Sequence, residues 1–181
     1  MFPKAHAAAY IMMALRVAWY KVYHPLAYYA AFFGIRAKQF NYETMCMGPQ
    51  KLEMEYNEVK NRINNHTSLP KDDATYSDMR VVQEMYARGF EFMPLDIYKA
   101  KAHDFQIFVG KIMPSLDSIE GMGDKAAEQL EEVISQMDGP FESKKEMIEK
   151  CGINKTVMET MTKLGLLDGM KEDSQLSIFD L

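Results

Sequence analysis

The sequence predicts a mostly α-helical fold carrying one short β-hairpin. Three observations lead there. Apolar residues recur at spacings of three and four over most of the chain, proline and glycine sit where those stretches begin and end, and residue-by-residue alternation occurs once, near residues 105–109. In residues 6–23, Tyr10, Ile11, Ala14, Leu15, Ala18 and Val22 form a helical stripe with Arg16 and Lys21 off it, which predicts a long helix with one buried face. His24-Pro25 ends that helix, because a residue before proline avoids the α region. Pro25 suits the first position of a second helix to about residue 33, so the pair reads as a helical hairpin.

Asn41 with Thr44 can cap a third helix, which Gly48-Pro49 must break before a more polar stretch to about residue 64. Residues 64–73 read as a loop, and a fourth helix runs to Arg88 and stops at Gly89. Phe105, Ile107 and Val109 alternate with Gln106 and Phe108 around a Val109-Gly110-Lys111 turn, which predicts the hairpin. Three short helical units follow, at about residues 115–137, 143–150 and 154–163. Ser143 with Glu146 has capping-box form, Asn154 can cap the last unit, and Gly165 can close it. After Asp168 the chain turns polar, and its end is expected to be flexible.

Composition narrows the function classes. A chain of 181 residues that is 48% hydrophobic can bury one core or two small ones. The 16 methionines fall mostly at core-like positions, where they act as flexible fillers. Cys46 and Cys151 form neither a CxxC pair nor a zinc pattern, and His6, His24, His66 and His103 have no metal spacing, so no metal or cofactor is expected on this chain. No run approaches the roughly 18 apolar residues of a spanning helix, and the N-terminus has no cleavage signature, so a cytoplasmic location is expected and no membrane partner.

Charge is unevenly spread. Residues 1–42 contain Lys4, Arg16, Lys21, Arg36 and Lys38 and no Asp or Glu, so a head of +5 precedes a remainder of −10. Cations in a region without carboxylates create a positive potential that attracts phosphate. Within that head, Lys4 and His6 precede and enter an alanine run, Ala7-Ala8-Ala9-Tyr10, at a helix start whose free amides also favour anions. Further on, Gly121-Met122-Gly123 before Lys125, Ala126, Ala127 and Leu130 has helix-hairpin-helix form, in which backbone amides hold a DNA phosphate without reading sequence. From Pro114 onward, however, acidic residues clearly outnumber basic ones, an unfavourable balance for gripping duplex. Finally, Gln175-Leu176-Ser177-Ile178-Phe179 has the anchor pattern of a short docking peptide, with Leu176 and the Ile178-Phe179 pair to fill apolar pockets and Gln175 to make oriented hydrogen bonds.

Taken together these motifs resemble one family. Phe2-Pro3-Lys4-Ala5-His6-Ala7-Ala8-Ala9-Tyr10 is similar to a fingers segment of the PolC-type bacterial replicative DNA polymerases (DNA polymerase III alpha subunits). The likeness continues through Ala18-Trp19-Tyr20-Lys21-Val22-Tyr23-His24-Pro25, Arg88-Gly89-Phe90-Glu91-Phe92 and Asp96-Ile97-Tyr98, with residues 43–77 its weakest stretch. The resemblance implies template-directed deoxynucleotide addition by the parent, with Mg2+ held by palm carboxylates that this chain lacks, so no catalytic residue is expected here. It further implies that Lys4 and His6 approach the triphosphate of an incoming deoxynucleotide, with Arg16 as a third cation, and that Phe2 and Tyr10 shape the pocket for the nascent base pair. Gly121, Met122, Gly123 and Lys125 would touch primer–template DNA, and Gln175, Leu176, Ser177, Ile178 and Phe179 would hold the bacterial sliding clamp. The implied organisation is the end of the fingers in residues 1–112, a helix-hairpin-helix region in 113–170 and a clamp-binding tail in 171–181, all packed on the rest of the polymerase chain. A stand-alone clamp- or DNA-binding adaptor is the competing reading; Met1 falling inside a motif favours a piece of a longer chain.

Overall fold

The computed structural model describes residues 3–173; Phe2 and residues 175–179 lie outside them. The leading helix α1 (Lys4–Tyr23) follows from its alanines and straight-chain residues, and Pro25 opens α2 (Pro25–Ile35) after the single linking residue His24. Here one expectation is overturned. The apolar stripe of α1 is not buried: every residue from Pro3 to Tyr20 is exposed, Tyr10 at 65% and Trp19 at 49%. Periodicity shows which face of a helix can be buried, but burial needs a partner surface, and no described residue covers this one. Of the aromatic residues of α1 and α2, Tyr29 and Phe33 are buried and Tyr28 and Phe32 half-buried, so the exposed set is Tyr10, Trp19, Tyr20 and Tyr23.

The first core lies under α2, α4 (Pro49–Asn64) and α5 (Asp72–Ala87), where Tyr29, Phe33, Leu52, Val59, Met79, Val82 and Met85 pack together. Asp78 fixes the loop after α2 by accepting from the Lys38 and Gln39 N–H groups, each at 2.9 Å. The short α3 (Tyr42–Met45) is capped as its sequence predicts, Asn41 accepting from the Thr44 N–H at 3.1 Å. Gly48, at φ 98°, then turns the chain into Pro49, the first residue of α4.

A second core gathers residues 95–102 with everything beyond the hairpin: Leu95, Ile97, Leu116, Ile119, Leu130, Met147, Ile153, Met161 and Leu167. Strands β1 (Gln106–Phe108) and β2 (Lys111–Met113) pair antiparallel through a turn at Val109-Gly110, both left-handed. Because successive side chains of a strand face opposite ways, Ile112 enters the first core and Met113 the second. Helix α3 does likewise, with Met45 in the first core and Tyr42 in the second.

The last units are α6 (Asp124–Gln136), α7 (Lys144–Cys151) and α8 (Lys155–Lys163), the latter two capped by Ser143 and Asn154 as expected. The unit predicted at 115–137 is divided, however. Only a single 3-10 turn, η1 (Leu116–Ser118), precedes the glycines, because the turn at Ile119–Met122 and the left-handed Gly121 interrupt the α ladder.

Arg62 of α4 binds Asp72 at the start of α5 through two bonds of 2.9 Å, while the Leu69 N–H adds a third. That pairing, with the Leu69 amide, holds the Asp72 carboxyl down at about 2, below its usual value near 4. A carboxyl depressed on folding contributes stability above its unfolded pKa and loses it as pH falls through the folded one. The chain should therefore lose stability between about pH 4 and pH 2, and Asp72→Asn should flatten that limb of a pH–urea series. An unchanged limb would show that the pair does not matter.

Candidate functional site

Alanine and lysine at the start of α1 leave that helix without an acid in its first turn and without a side-chain cap. Lys4 opens the helix, His6 follows in the same turn, and Tyr10, four residues on, brings its ring to 4.5 Å from the imidazole. Lys4 points from another side of the helix at this spacing, and Arg16 lies more than two turns further along, exposed. The structure thus pairs His6 with Tyr10, puts Lys4 at the helix start beside them and leaves Arg16 apart.

The glycine turn is built differently. Gly121 has φ 82°, and a Cβ there would meet Val157 Cγ2 of α8 at 3.3 Å, so both backbone and space call for glycine. Met122 is buried in the second core, and Gly123 opens α6, whose Ala127 and Leu130 are also buried. A Cβ on Gly123 would meet nothing within 4 Å, so this side of the turn is open to an approaching backbone. In the first turn of α6 the Ala126 N–H donates to the Gly123 carbonyl at 2.9 Å, which leaves the Asp124 and Lys125 amides without an intrahelical acceptor; the exposed Lys125 side chain lies beside them, although Asp124 adds a negative charge.

The other side of the turn meets the first half of the chain. Glu120 accepts from Asn41 Nδ2 at 3.3 Å and lies 4.0 Å from Lys71 Nζ, across a cleft of about 390 Å³ that Arg62 and Met122 also line. His103 ties the arms of the turn together: Nδ1 is 2.7 Å from Asp117 of η1 and Nε2 is 3.3 Å from Glu128 of α6. The bond to Asp117 draws the His103 pKa upward; burial opposes it, and Glu128 adds to the rise. Sequence reading passed over this bridge, since its three members are far apart in the chain and carry no motif.

An open glycine turn leading into a helix, ahead of two further short helices, is the arrangement of a helix-hairpin-helix element. In agreement, residues 89–176 match the family model described as a helix-hairpin-helix motif. The chain is homologous, along nearly its whole length, to PolC-type DNA polymerase III. It is 42% identical over 180 residues to that protein from Streptococcus pneumoniae, 43% to that from Streptococcus suis and 44% over 182 residues to that from Streptococcus pyogenes. Each alignment takes in 99% of this chain and 12% of the relative, so the chain spans about one eighth of the length of the curated relatives it matches. No helix among the described residues is long and apolar enough to cross a membrane.

Proposed function

We propose that this chain is a portion of a replicative DNA-directed DNA polymerase, a nucleotidyltransferase that adds deoxynucleotides to a primer 3′ end. The observation that carries the reading is the identity of 42–44% to PolC-type DNA polymerases III over 99% of the chain. Within it, residues 1–112 serve as the end of the fingers, 113–170 as the region that meets duplex, and 171–181 as a clamp-binding tail.

On this reading the cations at the start of α1, Lys4 and His6, face the triphosphate of the incoming nucleotide, with Arg16 as a more distant cation. Tyr10, held against His6, and Phe2 border the nascent base pair. Phosphoryl transfer needs charge neutralisation at the phosphates and also metal-bound carboxylates. The cations of α1 would supply the first; among the described residues no group of three or more His, Cys, Asp or Glu is placed to hold a metal ion. On this reading the carboxylates that hold Mg2+ belong to another part of the parent. The residues Gly121, Met122, Gly123 and Lys125 would position a phosphate of the primer–template by backbone amides and one ammonium.

The acidic balance beyond Pro114 limits that contact, because affinity for duplex follows the number of cations brought to phosphates. The isolated chain should bind duplex DNA only above about 1 μM at physiological salt, within the range of non-specific binding; a submicromolar constant in a titration would refute this.

The tail provides the main test of the assignment. Gln175, Leu176, Ser177, Ile178 and Phe179 would dock on the bacterial sliding clamp, Leu176 and Phe179 acting as anchors. Titrating the chain against a bacterial clamp should give saturable binding, and Leu176→Ala/Phe179→Ala should weaken it by roughly 100-fold or more. Equal binding by both chains, or by neither, would remove clamp tethering from the assignment.

A further inference from the structure

The helix that carries the proposed nucleotide contacts is held at the end far from them. Lys21, in the last turn of α1, places Nζ 2.6 Å from Glu84 Oε2 of α5. The other oxygen of Glu84 accepts from the Tyr29 hydroxyl at 3.2 Å. Arg88, at the C-terminal end of α5, uses its fork on both neighbours. Nη1 donates to the Tyr29 hydroxyl at 3.1 Å, and Nη2 donates to the Lys21 carbonyl at 3.0 Å. The guanidinium also lies over the rings of Tyr29 and Phe90, at 5.7 and 5.6 Å.

Each contact has a physical purpose. The Lys21 carbonyl is among those at the end of α1 without an intrahelical donor, and a cation there is favoured by the helix dipole. Tyr29 is fully buried in the first core, so the clasp is anchored in that core. Burial would push the Glu84 carboxyl up, yet the Lys21 ammonium, the Tyr29 hydroxyl and the Arg88 guanidinium together outweigh it and hold the group below its usual range.

Since the rest of α1 is exposed, its direction is set at this end. We infer that Glu84 and Arg88 are positioning residues that fix the angle of α1 on the first core and so place Lys4 and His6 on the incoming nucleotide. The helix is about 30 Å long at 1.5 Å per residue, so a tilt of about 10° at its base moves its start by roughly 5 Å. A displacement of even 1 Å at a reacting group can cost about 100-fold. This inference rests on the proposed nucleotide reading of α1, and its test separates the two.

Spin labels at Met12→Cys on α1 and Asn57→Cys on α4, both exposed positions, in a Cys46→Ala/Cys151→Ala background, report the angle as a distance distribution. That distribution should be narrow in the parent chain and should broaden about two-fold or more in Glu84→Gln and Arg88→Met, with helix content by circular dichroism unchanged. Arg88→Lys should not restore it, because one ammonium cannot reproduce the fork that spans Tyr29 and Lys21. In the full polymerase, the same variants should lower kcat/KM for the nucleotide roughly ten-fold while leaving KM for primer–template unchanged. A distribution as narrow as the parent's in both variants overturns the clasp. Broadening without any change in nucleotide kinetics supports the clasp and overturns instead the reading of α1 as the nucleotide helix.

Discussion

Replacing Tyr42 by alanine should lower unfolding stability by about 3–5 kcal/mol, the range for deleting a buried aromatic ring. Tyr42 stands on α3 beside Met45, yet its ring is 3% exposed in the second core while Met45 fills the first. Its hydroxyl also accepts from the Leu95 N–H at 3.1 Å, in a buried position. The ring is therefore a tie between the two cores as well as a filler. Tyr42→Phe, which keeps the ring and abandons the amide, should cost about 1–3 kcal/mol. Urea titrations of the two variants separate these contributions. A loss of less than about 1 kcal/mol in Tyr42→Ala would show that the site collapses around the cavity and that the ring ties nothing.

The second large effect is expected at the glycine turn. Gly121→Ala imposes a Cβ on a residue at φ 82°, costing about 1–2 kcal/mol, and brings that atom to 3.3 Å from Val157 Cγ2, where overpacking adds about 1 kcal/mol or more. The two parts can be told apart by repeating the substitution in a Val157→Ala background. The steric part should vanish there and the backbone part persist. If Gly121→Ala costs the same with and without Val157, contact with α8 is not what confines the turn. Gly123→Ala is the contrasting case, because its φ of −81° suits any residue and its Cβ would meet nothing. It should fold normally, so that any loss of DNA contact by that variant comes from the open face.

Local features of the fold were legible because neighbours in sequence cause them. The caps at Asn41, Ser143 and Asn154 need only an acceptor side chain three residues before a free amide. Pro25 and Pro49 mark helix starts, and the left-handed Gly89 a helix end, for reasons internal to those residues. The 3-10 turn of η1 was less legible. Leu116, Ile119 and Met122 have helical spacing, but they reach the second core through a turn that the left-handed Gly121 permits.

The homology was legible too, from motifs ordered along the chain, whereas the bridges among His103, Asp117 and Glu128 and among Lys21, Tyr29, Glu84 and Arg88 were not. Such groups meet only when distant helices pack, and no spacing rule connects a lysine to a glutamate 63 positions away. The fate of the α1 stripe has the same cause, since an amphipathic pattern states a capacity for burial and says nothing of whether a partner is present.

By itself, then, the sequence determined the helical class, the place of the one hairpin, the caps, the charge division between residues 1–42 and the remainder, and the kinship with PolC-type polymerases. Each depends on residue identity or on interactions within a few positions. Tertiary structure alone decided that α3 and β2 each serve two cores, that the Gly121 side of the turn closes on α8 while the Gly123 side stays open, and that α1 stands exposed on a polar clasp. Those outcomes depend on which surfaces compete for the same neighbours, a balance of burial and hydrogen-bond satisfaction summed over the whole chain.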